Sequence, residues 1–348
     1  MKTFPISTQK FLATGVGSLP HLDKTQGCQF ILDNFKDDII FWPQLVKRSF
    51  LENMYVQFSS GLPGVVIDEK SQRIYIDTEK PGFLNKMEET LKAYSDNDLN
   101  YFCICQEYAC GFFEMLKNIK DLNGINYFKG QTIGPISFGL TIKDQNSRPV
   151  IYNKDLQEIL TETLAMKARW QIRKIKNQKS KLKIIIFIDE PYLVSIGSSY
   201  VSLKREEVVS RIDEVVAAIH QENALAGIHC CGNTDWGLIM QTQIDILNFD
   251  AYNFLDTILL YPKELESFFK RGGILAWGIV PNSDVVNEKS LKDLLLDKIL
   301  KVGCEKDMLK NQVIITPSCG CGTLNVELAE DVHKLTVDIA HELNDKKV

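Results

Sequence analysis

KIIIFIDEP (residues 183–191) and ALAGIHCCGN (residues 224–233) decide how the rest of the chain is read. In each, a short run of mostly apolar residues stops abruptly at groups that carry chemistry: Asp189 and Glu190 in the first, His229, Cys230 and Cys231 in the second. An apolar run without polar alternation suits a strand covered on both faces, as in a parallel sheet flanked by helices. Reactive groups collected at the carboxyl ends of such strands are the mark of a (β/α)8 barrel, where that rim is the place at which different strands converge.

Working outward, six further runs of the same kind are found at 12–17, 39–43, 127–134, 244–250, 274–279 and 313–318, which with 184–189 and 226–231 makes eight. Eight βα units predict an α/β fold closed as a (β/α)8 TIM barrel. Amphipathic segments at 155–173 and 205–220, and a helix capped by Ser290 and reaching Val302, would belong to its outer ring. The stretch 44–126 is too long for one crossover, and within it VVIDEKSQRIYID (65–77) alternates around a polar turn as a β-hairpin does. It is read as an inserted hairpin and helical region between strands two and three, over the barrel mouth. Nothing in the composition marks a boundary, so residues 1–348 are read as one domain.

Composition removes several function classes. With 45% hydrophobic and 24% charged residues the chain has the make-up of an ordinary globular protein with a large core. The net charge is −5, and the most basic stretch (173–183) has no interleaved aromatic residues, which argues against a nucleic-acid groove. No run of ~18 apolar residues is present, and the opening MKTFPISTQK lacks the apolar segment of a signal peptide, so a cytoplasmic protein away from the membrane is expected. Nine cysteines, an odd number in a long chain, are read as thiols rather than as a disulfide framework.

Those thiols are then free for metal. His229 and Cys231 are one residue apart, so on an extended strand they point the same way while Cys230 points elsewhere. Cys319, at the end of strand eight in SCGCG, is placed to complete a His-Cys-Cys set, and imidazole with thiolate favours zinc. Three protein ligands with one exchangeable position is the pattern of a catalytic zinc site. At the same rim, Asp189 or Glu190 could take an ammonium group, and the backbone around Gly17 and Ser18 a carboxylate. Cys103 and Cys105 form a C-x-C in the inserted region and are read as structural, as are Cys28, Cys110 and Cys304. His21 is left open between pocket wall and surface loop.

TGVGSLPH (14–21), KGQTIGPISF (129–138), FIDEPYL (187–193), HCCGNTDW (229–236) and PSCGCG (317–322), in that order, resemble the catalytic barrel of cobalamin-independent methionine synthase and its relatives in the uroporphyrinogen decarboxylase-like superfamily. The resemblance implies zinc on His229, Cys231 and Cys319, with Asp250 where the family has a glutamate as fourth ligand. It also implies homocysteine lying along Val16, Gly17 and Ser18 with its amino group on Asp189. HCCGN is similar, too, to the H-x-C-G-N of corrinoid-dependent thiol methyltransferases, which take a methyl group from methylcobalamin on a partner protein. The full-length family enzyme carries an additional N-terminal barrel for polyglutamylated methyltetrahydrofolate, whereas this chain reads as one barrel. The implied activity is therefore zinc-dependent methyl transfer to homocysteine, giving methionine. Its donor would be methylcobalamin or a methylcorrinoid protein in preference to methyltetrahydrofolate. Three alternatives stay open: a different, coenzyme M-like thiol, a cobalamin- or porphyrin-binding barrel without catalysis, and a zinc store.

Overall fold

A computed structural model describes residues 11–287, 290–303 and 313–346. The chain's first ten residues and Cys304, both read above, lie outside the described residues. The strands are β1 (Leu12–Ala13), β2 (Ile39–Phe41), β3 (Val65–Asp68), β4 (Arg73–Ile76), β5 (Tyr127–Ile133), β6 (Lys183–Asp189), β7 (Leu225–Cys230), β8 (Ile246–Phe249), β9 (Ile274–Val280) and β10 (Val313–Pro317). Eight of them form one sheet in the order β1-β10-β9-β8-β7-β6-β5-β2, with every neighbouring pair parallel. All eight predicted strands are present, and the expected TIM-like barrel is the fold.

The two ends of this order, β1 and β2, face each other across a seam. Below, the Asp38 carboxylate accepts the Ala13 amide at 3.0 Å and the Thr14 hydroxyl donates to the Ile39 carbonyl at 3.0 Å. At the rim a parallel bridge joins Ser18 to Gln44, with Gln44 N donating to Gly17 O at 3.0 Å and Leu19 N to Gln44 O at 2.9 Å. The barrel is thus nearly closed, and what finishes it is the loop that carries Gly17 and Ser18.

Alternation along each strand builds two cores. Leu12, Ile39, Ile185, Leu225, Ile246 and Ile314 are among the residues that plug the barrel interior. The opposite faces pack against the helices in a larger apolar layer that includes Ile186, Ile188, Ala226, Ile228, Cys230 and Ile315. Each buried aliphatic side chain of this kind contributes about 1.5–3 kcal/mol relative to exposure. The helices are α1 (Lys24–Phe35), α2 (Met54–Gln57), α3 (Phe83–Ser95), α4 (Cys110–Asp121), α5 (Pro135–Thr141), α6 (Lys154–Gln178), α7 (Arg205–Gln221), α8 (Trp236–Gln241), α9 (Ala251–Ile258), α10 (Pro262–Lys270), α11 (Leu291–Gly303) and α12 (Val326–Asp345). Among the described residues no helix is long and apolar enough to cross a membrane.

The stretch between β2 and β5 contains the predicted hairpin, β3 and β4, paired antiparallel from Val65–Ile76 to Asp68–Arg73. It also contains α2 and α3, and it ends in α4, which packs against α1 and α6 in the outer ring. The helix read at 155–173 runs on to Gln178 because its basic end has partners within the fold. Arg173 pairs with Glu222 at 3.0 Å, Lys176 and Lys179 reach the carbonyls of Glu222 and Leu122, and Lys174 lies over the Trp170 ring at 5.6 Å.

Candidate metal centre

The register of three adjacent strands prepares the site. Asp189 on β6 is level with His229 on β7, and His229 is level with Asn248 on β8. Asp189 follows Phe187 and Asn248 follows Ile246 at a spacing of two, and His229 follows Leu225 at a spacing of four, so together they form a polar layer above the apolar plug.

Within that layer the ligand atoms of His229, Cys231 and Cys319 all lie within 4.8 Å of one another. Two sulfurs on a tetrahedral zinc are ~3.8 Å apart, given Zn–S bonds of about 2.3 Å, so this spread is of the size one such ion needs. The imidazole is also oriented for the task. His229 Nδ1 lies 2.5 Å from Asn248 Oδ1, while Asn248 Nδ2 donates at 2.8 Å to both the Ala276 carbonyl and the Thr316 hydroxyl. Because Ala276 O can only accept, the nitrogen end of the Asn248 amide must face it, and the oxygen end must face His229. Nδ1 therefore carries the proton and donates it to Asn248, leaving Nε2 for a ligand. A metal-binding histidine commonly has such a partner on its second nitrogen.

The electrostatics of the three groups fit together. Hydrogen bonds from Cys319 and from His229 hold Cys231 well below the usual thiol range, whereas its neighbour Cys319, donating to Cys231 and partly desolvated, is pushed up. Burial disfavours a charged His229, yet the hydrogen bond to Cys231 and the Asp189 carboxylate outweigh it, and its pKa is raised. Cys230 points into the outer core, as its position in the strand demands, and burial pushes its thiol up to about 12. Cys321, also buried, behaves likewise. Donor types, spacing and the fixed imidazole all suit a zinc ion held by these three residues.

The other predicted residues fall into place around this group. Asp189 has a buried Oδ1 with no hydrogen-bond partner, and burial raises its pKa to about 6 against the pull of His229 and Lys129. Glu190 faces the other way: Oε1 accepts the Ile136 amide at 2.9 Å and Oε2 the Ser137 amide at 2.7 Å, so it is committed to the N-terminus of α5. Of the two acidic residues, Asp189 alone keeps an oxygen without a partner. Asp250 lies close enough to Cys231 to feel its charge, but its oxygens cap α9, accepting the Asn253 amide at 3.0 Å and the Asn253 side chain at 2.7 Å. It is not part of the three-residue group.

Val16, Gly17 and Ser18 tie three loops together. The Val16 carbonyl accepts Lys129 Nζ at 2.5 Å, and the Ser18 carbonyl and hydroxyl accept the Cys321 and Gly322 amides, each at 3.2 Å. Gly17 has φ +146°, and a Cβ there would press on the Gln131 amide, whose Oε1 is buried without a partner. Gly320 is equally constrained, since a Cβ would collide with the Ser18 hydroxyl. The loop read as a carboxylate nest thus also fixes the loop that delivers Cys319. His21 is neither pocket wall nor surface: it is buried, stacked on Phe30 at 5.9 Å and 3.5 Å from Glu330 of α12.

Three residues beside the site escaped the sequence reading. Asn248 is a polar residue on an inward position of a short apolar strand, a pattern that could have flagged it, whereas Lys129 shares its strand with Gln131 and Thr132 and does not stand out. Lys129 is fully buried 4.7 Å above the Phe187 ring, and burial lowers its pKa to about 8. Tyr55, from α2 of the insertion, packs on Phe138 at 6.3 Å between ring centroids. It sits near enough to Tyr192, Glu190 and Cys231 for their charge to add to burial in raising its pKa to about 12. No local pattern announces Tyr55, because its place depends on how the insertion folds back over the rim.

No protein-family model matches the sequence, and no curated protein is significantly similar to it. Among solved structures, a methyltransferase from Methanosarcina mazei aligns over 97% of this chain and 95% of its own, with TM-score 0.58 and 13% sequence identity. A Bacteroides thetaiotaomicron protein provisionally named an alpha-L-fucosidase aligns over 97% of both chains, but with TM-score 0.34 and 11% identity. At such identities the Methanosarcina mazei likeness speaks for the fold: a whole-chain match of one TIM-like barrel to another.

Proposed function

We propose that this chain is a zinc-dependent methyltransferase that moves a methyl group to the thiol of homocysteine to give methionine. The observation that carries the reading is the convergence of His229, Cys231 and Cys319 at the barrel rim, with the imidazole locked by Asn248 and a partnerless carboxylate oxygen of Asp189 nearby. The whole-chain likeness to a Methanosarcina mazei methyltransferase adds support at the level of reaction class.

A zinc ion on these three residues would make a thiol that joins it an anion at neutral pH, although a free thiol has a pKa near ~8.5. The chain's own residues do the positioning. Asp189 Oδ1 takes the ammonium group of the amino acid, and the Gly17–Ser18 backbone takes its carboxylate, so the side chain is directed toward the His-Cys-Cys group. Transfer then forms a sulfur–carbon bond and breaks the donor's bond to the methyl group. The thiol proton passes to solvent, and with methylcobalamin the bonding electron pair stays on cobalt. Holding thiol and methyl group in line contributes several kcal/mol, as positioned reactions generally do.

Methylcobalamin, free or on a corrinoid protein, is the donor this reading prefers. The test is methionine formation from homocysteine by zinc-loaded protein, with methylcobalamin and with mono- and polyglutamylated methyltetrahydrofolate as parallel donors. Turnover with methylcobalamin is expected. Turnover with a coenzyme M-like thiol but not with homocysteine would move the assignment to that acceptor, and no product with any pair would end it.

A further inference from the structure

The insertion and the loop after α5 form an open cavity of about 600 Å³, within the usual range for a small-molecule site. Its lining includes Phe50, Tyr55, Arg73, Tyr75, Thr141 and Lys143. We propose that this cavity binds a flat, ring-bearing anion, a heteroaromatic group with a carboxylate or phosphate tail. On the methyl-transfer reading, on which this identification rests, that ligand is the part of the methyl donor remote from its methyl group.

Four features carry the proposal. The first is the wall made by β4. Ile76 N donates away from β3 to Lys143 O at 2.9 Å, whereas Asp77 N donates toward β3, to Gly64 O at 2.8 Å. By the alternation of an antiparallel pair, the N–H and C=O of Ile74 leave β4 on the Lys143 side, where the loop has diverged to open the cavity. One wall therefore offers a backbone donor and acceptor with no backbone partner among the described residues. The second is charge: Arg73 and Lys143 both reach the cavity from exposed positions, and among the described residues neither is within salt-bridge distance of a carboxylate, although Arg73 lies opposite Asp68 in the hairpin and helps to lower its pKa. The acidic residue of the lining, Asp144, has its Oδ1 turned into its own loop, where it accepts the amides of Asn146 and Arg148 at 2.9 Å.

The third is the set of rings. Phe50, Tyr55 and Tyr75 come from different segments and give flat faces on which a planar group stacks. The fourth is location. Tyr55 lines the cavity and is near enough to Cys231 to feel its charge, so the Tyr55 wall of the cavity is the side nearer the metal group. Two source molecules share the required chemistry, a pterin with a glutamate tail and a corrinoid with its nucleotide phosphate.

Equilibrium dialysis of the zinc-loaded full chain, without any thiol acceptor, tests the proposal with two probes: methylcobalamin and triglutamyl methyltetrahydrofolate. One of them is expected to bind, more weakly as salt is raised. Arg73→Ala/Lys143→Ala should weaken it about 5- to 20-fold, in line with two solvent-reachable ion pairs, with zinc content unchanged. Tyr75→Ala should weaken it without altering the salt dependence. Equal affinity of the double variant, or no binding of either probe at millimolar concentration, would overturn the proposal. Binding without methyl transfer would leave the cavity assignment standing and remove the methyl-transfer reading. Methyl transfer with an unchanged donor KM in the double variant would do the reverse.

Discussion

Asn248 is the residue on which the metal centre's geometry turns. It links His229 to the Ala276 carbonyl and the Thr316 hydroxyl, and so fixes both the ring orientation and the tautomer of the imidazole. Asn248→Ala is expected to lower zinc affinity about 10- to 100-fold, the usual cost of removing such a partner. Competition against a chromophoric chelator measures it, and an unchanged affinity would remove Asn248 from this role. Asp189 is separable from the metal. Replacing it with Asn leaves the three ligands in place but takes away the charge that faces the substrate's ammonium group. KM for homocysteine should rise roughly 10- to 100-fold, the worth of a hydrogen bond to a charged group, while zinc content stays the same. At Gly17, where φ is +146°, Gly17→Ala forces a side chain into a backbone region that only glycine enters readily, against Gln131. Urea unfolding should show a loss of about 1–3 kcal/mol.

At the scale of elements, the α6–α7 interface contains a pH-dependent contribution. Burial raises the pKa of Glu162 to about 7, with the charges of Glu214 and Glu158 adding to the effect, and its Oε2 is buried without a partner. An acid whose folded pKa is raised contributes stability below its unfolded pKa and loses that contribution as pH climbs through the folded value. The charged form therefore destabilises the fold above about pH 7. Glu162→Gln should raise Tm relative to the parent at pH 8, and the gain should shrink toward zero by about pH 5. Calorimetry at the two values decides it, and a gain that is equal at both would show that the charge is not responsible.

Element boundaries also show what the sequence could and could not reveal. The runs at 184–189 and 313–318 were legible because strands covered on both faces have no reason to contain polar residues. The apolar run predicts a first strand to Gly17, whereas β1 ends at Ala13: Thr14 N still donates to Ile315 O at 3.0 Å, and beyond it Gly17 leaves the extended region. The run predicted from 244 begins as β8 at Ile246, although the Asp245 backbone already bonds both neighbours, donating to Ala226 O and accepting from Ile274 N, each at 2.8 Å. Both differences lie at strand ends, where an apolar run does not show where regular pairing stops. Glu190 is the same lesson at the site. Its position beside Asp189 suggested a substrate contact, and only the fold reveals that α5 takes up both of its oxygens.

Across the whole molecule, the barrel brings His229 and Cys231 together with Cys319 from the other side of the rim, and the Ser18 loop that finishes the barrel seam also steadies the Cys319 loop. One loop thus serves both the barrel seam and the placement of Cys319. The three ligands were legible from their residue types and their places at strand ends. The cavity over the mouth was not, because it lies between β4 and a loop more than sixty residues away in sequence.

Zinc K-edge X-ray absorption on the purified protein, before and after addition of homocysteine, counts the nitrogens and sulfurs around the metal. Stoichiometric zinc is expected, with one imidazole nitrogen and two sulfurs from the protein, and one further sulfur once the thiol is present. Protein that holds no stoichiometric zinc, or zinc whose sulfur count does not change with homocysteine, would contradict the proposed function.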